Sequence, residues 1–205
     1  MKILPAILMV VCVASSGCED ASSESAAPAT APASAASELS FVVQPGMTPV
    51  DARVELADGF EPGDTWYVVS DDEDAFLGLW TAREVARDAC IGPDHEVVTP
   101  GPAVKDLAEA LAAQGSTRSS QPEAVTLAGY DGLYLEVTGP ADVSKCDEGR
   151  GLTHERGIYS DNQVDRLWIL DVAGQRLVVD ASYGPTATAA EVEALDAMVS
   201  SLEFA

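Results

Sequence analysis

The sequence predicts an α+β domain, an antiparallel β-sheet of about six strands with helices packed on its faces. Three observations lead there. Residues 163–172 and 175–183 are β-rich runs joined by Ala173-Gly174, a two-residue connection whose second glycine suits a primed hairpin turn. Near the carboxyl end, Thr188 and Glu191 form a capping box, and Val192, Leu195, Val199 and Leu202 line an apolar stripe behind it. Upstream, short apolar runs alternate with glycine, proline and aspartate turn signals around one amphipathic helix.

Taken in order, residues 52–56 and 65–70 read as strands, punctuated by Asp58-Gly59 and Pro62-Gly63-Asp64. Residues 76–90 suit strand or helix, and Phe76, Leu77, Leu79 and Trp80 favour strand. Residues 104–114 read as a helix with Val104, Leu107, Ala108 and Leu111 on one stripe, Pro102 before it and Gly115 after it. Its cap position holds Ala103, which has no side-chain acceptor, so that start is weakly specified. Residues 124–127 and 133–138 flank Ala128-Gly129-Tyr130-Asp131-Gly132, which reads as a short irregular turn. In the 163–183 hairpin the register sets Asp171 opposite Arg176, an expected cross-strand ion pair. Leu167 to Leu170 and Leu177 to Val179 are apolar on both faces, which places these strands centrally, covered from both sides.

The amino terminus has the pattern of an export signal. Lys2 gives a positive start, residues 3–13 are apolar apart from Pro5, and the small residues Ala14, Ser15, Ser16 and Gly17 precede Cys18. The apolar run is too short to span a bilayer as a lasting helix. The Ser-Ser-Gly-Cys ending resembles the lipobox of bacterial lipoproteins, with Ser15 standing where that motif favours a larger aliphatic residue. The resemblance implies cleavage after residue 17, diacylglyceryl on the Cys18 thiol, and attachment to the cell membrane on its extracytoplasmic face. Ordinary secretion with cleavage nearby is the alternative. Residues 18–40 are rich in Ala, Ser, Pro and Thr with no apolar period, the composition of a disordered tether. The folded domain is expected over 41–205.

The chain of 205 residues has 11 Lys+Arg against 34 Asp+Glu, a formal charge of −23. That excess excludes nucleic-acid binding, which needs clustered cations, and points towards basic peptides or cations as partners. High charge also keeps an exported domain soluble. With Cys12 in the signal and Cys18 as anchor, Cys90 and Cys146 remain, and an oxidising compartment favours their disulfide.

No motif carries chemistry. Asp71-Asp72-Glu73-Asp74 lacks the alternation and central glycine of an EF-hand loop and reads as a solvated turn. His154-Glu155-Arg156-Gly157 begins like a zinc-protease motif, but Ile158 stands where the second histidine belongs. His95 falls in a surface loop, and Ser182 lies inside a strand without a nucleophile turn. Neither a metal nor another cofactor is expected. Trp66, Trp80 and Trp168 are expected in the core, a pocket being the alternative.

Residues 125–137 (VTLAGYDGLYLEV), 164–172 (VDRLWILDV) and 176–183 (RLVVDASY), with the closing helix, resemble a group of actinobacterial envelope proteins. More distantly, the order of elements resembles the PsbP-like and LpqN-type lipoprotein fold. The closer likeness runs from about Cys90 to the end, and its paired cysteines match Cys90 and Cys146. It implies an accessory or binding protein without catalytic residues, whose partner is a small ligand or an envelope protein. The alternative function is a hydrolase whose carboxylates converge only in the folded chain.

Overall fold

The computed structural model describes residues 36–41, 49–64, 66–92 and 94–204, of which residues 36–41 and Asp64 are described by their backbone alone. The export signal and Cys18 lie outside the described residues. In chain order the elements are β1 (Ala36–Phe41), β2 (Val50–Glu55), β3 (Phe60–Asp64), β4 (Tyr67–Ser70), β5 (Ala75–Trp80), β6 (Val85–Ala86) and β7 (Val97–Val98). Then come α1 (Val104–Ala112), β8 (Arg118–Ser119), β9 (Glu123–Leu127), β10 (Tyr130–Thr138), β11 (Val164–Val172), β12 (Gln175–Tyr183), α2 (Ala189–Ser200) and β13 (Glu203–Phe204).

The class is α+β, and the main sheet has eight strands where the sequence predicts about six. Its order is β3-β4-β5-β12-β11-β10-β8, with β9 also on β10. All of its pairs are antiparallel. A smaller sheet, β1-β2-β13, packs beside it, and β6 pairs with β7. Strand β1 pairs from Ala36 onward, so folded backbone begins five residues inside the segment predicted as tether.

The extra strands are short or sit at edges, where sequence signals are weak. β3 contains Pro62, which reads as a turn, yet an outer strand tolerates a residue that cannot donate to the ladder. Residues 81–90 leave the strand state after Trp80, apart from the two residues of β6. The turn between β9 and β10 is only Ala128-Gly129, with φ of 50° and 82°, nearly repeating the 54° and 81° of Ala173-Gly174. Both are left-handed pairs that match the twist of the flanking strands, so Tyr130 and Asp131 belong to β10.

The two faces of the main sheet have separate cores. On one, Leu77, Leu79, Leu177 and Val179 meet Leu195, Met198 and Val199 of α2 and Val50, Ala52 and Val54 of β2. The capping box of α2 is formed, the Thr188 hydroxyl accepting from Glu191 N–H and Glu191 accepting from Thr188 N–H at 2.7 Å. On the other face, Trp80, Leu135, Leu167, Ile169 and Val178 meet Leu107, Ala108 and Leu111 of α1. The start of α1 is fixed by Asp106, whose carboxylate accepts from Ala103 N–H at 3.0 Å. Its end comes at Ala112, two residues early, because the Gln114 amide turns inward and donates to the Ala86 and Leu152 carbonyls.

Asp171 and Arg176 do stand opposite each other, but no ion pair joins them. Asp171 closes its own turn by accepting from Gly174 N–H at 2.8 Å. Arg176 instead donates to the carbonyls of Ala82, Gly101 and Ala103, pinning the approach to α1. Cys90 and Cys146 form the disulfide, with Cα atoms 4.6 Å apart. Their separation of 56 residues makes the crosslink worth about 4 kcal/mol by chain entropy. It ties the segment after β6 to the long connection between β10 and β11.

Candidate functional site

That connection delivers Arg156 to the end of the α1 face. Alternation along the strands decides what waits there. Phe76, Gly78 and Trp80 of β5 point to this face, as do Val178, Asp180 and Ser182 of β12 and Asp165 and Leu167 of β11. The register brings Phe76, Ser182 and Asp165 into one row, with Gly78, Asp180 and Leu167 in the next.

Arg156 is only 4% exposed. Its Nε donates to Asp180 Oδ2 at 2.6 Å, and its Nη2 donates to Asp165 Oδ1 at 2.8 Å and to the Ser182 hydroxyl. Nη1 donates to the Gly157 carbonyl at 3.2 Å. Trp80 Nε1 adds a second bond to Asp180 Oδ2 at 3.0 Å, and Gln163 Nε2 donates to both oxygens of Asp165. Gln163 in turn accepts from Tyr159 N–H at 2.9 Å, so the network also holds the connecting loop. The remaining oxygen of Asp180, Oδ1, is buried without a hydrogen-bond partner among the described residues.

Two buried carboxylates on one guanidinium leave a negative charge over, which low-dielectric surroundings penalise. Burial pushes Asp165 up to about 7 and raises Asp180 as well, against the pull of Arg156. Burial disfavours the Arg156 cation too, but the two acids outweigh that and hold its proton more firmly than usual. The network is a fixed, nearly compensated floor.

Above it lies a cleft of about 500 Å³. Trp66, Tyr67 and Phe76 form one wall, their ring centroids 4.8 to 5.8 Å apart. The Arg156 guanidinium stacks on Phe76 at 4.6 Å, and Tyr159, 72% exposed, also lines the cleft. Three of these rings lie on glycines. A Cβ on Gly63 would overlap the Tyr67 ring, one on Gly78 the Phe76 ring, and one on Gly157 the Tyr159 ring. Glu73, Asp74 and Glu155 supply the acidic part of the lining.

The sequence-predicted candidates fall elsewhere or play structural parts. Asp72 accepts from the Ser70 hydroxyl and from Asp74 N–H, closing the turn between β4 and β5. Those hydrogen bonds hold its carboxyl below the usual range. His95 lies 3.3 Å from Asp147, and His154 lies 3.7 Å from Glu84. Of the tryptophans, Trp66 lines the cleft, Trp80 is buried, and Trp168 packs on Tyr134 at 5.0 Å. No sequence pattern joins Arg156, Asp165 and Asp180 as a set. The available signal was Asp180 itself, a charge inside a strand expected to be covered on both sides, which must find a partner. Compared with protein families, curated proteins and solved structures, the chain matches none.

Proposed function

We propose that this chain is an exported, non-enzymatic binding domain, held on the extracytoplasmic face of the cell membrane by lipid on Cys18. Its ligand occupies the cleft above Arg156. The observation that carries the reading is the cleft, whose volume of about 500 Å³ falls among those of small-ligand sites and whose aromatic walls stand on a locked polar floor. The disulfide supports export, since such bonds persist in oxidising compartments. The layout of helices on both faces of an antiparallel sheet is consistent with the PsbP-like accessory proteins and the actinobacterial envelope group.

The rival hydrolase needs two carboxylates that reach substrate and water. Asp165 and Asp180 do converge, but both are fully buried and Arg156 spans them. Ser182, 3% exposed, accepts from the same guanidinium and is buried with them. These features support binding over catalysis.

The test is the intact mass of the protein from its native membrane fraction, with and without reductant. A chain starting at Cys18 with added diacylglyceryl mass, gaining two hydrogens on reduction, is the expected result. A lipid-free chain starting elsewhere would make the protein a secreted one.

A further inference from the structure

We infer that the cleft takes an organic cation, a small alkylated ammonium compound whose head group sits among the aromatic rings. The inference rests on the cleft being the binding site and assigns its chemistry. Charge supplies the first argument. Among the described residues the only cation in the lining, Arg156, is already paired with two carboxylates at 2.6 and 2.8 Å. The other charged lining residues are Glu73, Asp74 and Glu155, so the potential in the cleft is negative. An anionic ligand would find no uncompensated partner there.

The walls supply the second. Faces of tryptophan, tyrosine and phenylalanine attract cations through their quadrupoles, and methylated ammonium groups gain most because they shed water readily. The chain already uses these walls so. Arg156 stacks on Phe76 at 4.6 Å. A hard metal ion is a poorer fit, since no group of three His, Cys, Asp or Glu side chains stands together among the described residues.

The third is rigidity. The glycines beneath Tyr67, Phe76 and Tyr159 let each ring lie against backbone, and Asp74, which accepts from the Thr186 hydroxyl, is held at the rim. Walls fixed before binding lose little freedom when a ligand arrives.

The experiment titrates the full mature chain with choline chloride, following Trp66 by fluorescence and binding heat by calorimetry. Sodium chloride controls for ionic strength, and 3,3-dimethyl-1-butanol is the neutral isostere. Saturable binding of choline is expected, with the isostere about tenfold weaker or more. Tyr159→Ala, at a position 72% exposed, should weaken choline several-fold, with Tyr159→Phe restoring it. Glu155→Gln should weaken it less and flatten its salt dependence. Equal affinity for the isostere, or uptake of acetate in preference, would overturn the cation assignment while leaving the cleft a binding site. If no compound of any charge perturbs Trp66, the binding reading falls with it.

Discussion

The two faces of the main sheet reach closure by opposite means. Towards α2, apolar side chains make up the core, the strands contributing Leu77, Leu79, Leu177 and Val179, and the Arg166–Asp196 pair lies at its margin. Towards α1, the same strands bury Asp165, Asp180 and Ser182 beyond the end of the helix, and one arginine covers them. An apolar face tolerates small rearrangements at modest cost. A charged one fixes position, because each buried donor and acceptor must be met at a particular distance. The open cleft stands on the fixed side.

That contrast breaks most sharply at Arg156. Arg156→Met strands two carboxylates, and the expected loss is about 4 kcal/mol, or about 10 °C in Tm, measured by urea and thermal unfolding. Adding Asp165→Leu and Asp180→Leu should return most of it; a single variant as stable as the parent would mean the charges matter little. On the other face Leu195→Ala should cost about 3 kcal/mol through its cavity and leave choline affinity unchanged. An affinity that falls in step with stability would erase the division between the faces.

The acids of the charged face also set a pH dependence. An acid whose folded pKa lies above its unfolded value takes up protons on folding, so its contribution is whole below the unfolded pKa and fades as the pH rises. With Asp165 at about 7, stability should fall between about pH 4 and 7 and level off beyond. Asp165→Asn should remove most of that slope in denaturant titrations across pH, whereas repulsion among surface carboxylates would leave it in place. The smallest effect is expected at α2, where Thr188→Ala should cost about 1 kcal/mol by unfolding in urea.

Legibility in the sequence followed the range of the forces involved. The Ala173-Gly174 hairpin and the capping box of α2 depend on neighbours within a few residues, and both were readable. The same dipeptide at Ala128-Gly129 was obscured because Tyr130 and Asp131 also carry turn character. The Asp171–Arg176 register was readable, but not the carbonyls that draw Arg176 away, since they arrive from the distant approach to α1. The cleft depends on contacts such as Arg156 with Asp180, 24 residues apart, and Trp80 with Asp180, 100 apart. No local pattern encodes those, although an acid within an apolar strand marks that a partner must exist.

Strand β1 joins the domain through β2, on the α2 side of the main sheet, while Arg156 and the cleft lie on the reverse side. Backbone from Ala36 thus starts on the face opposite the cleft. A substitution in β1 or β2 can reach the ligand site only through the thickness of the main sheet.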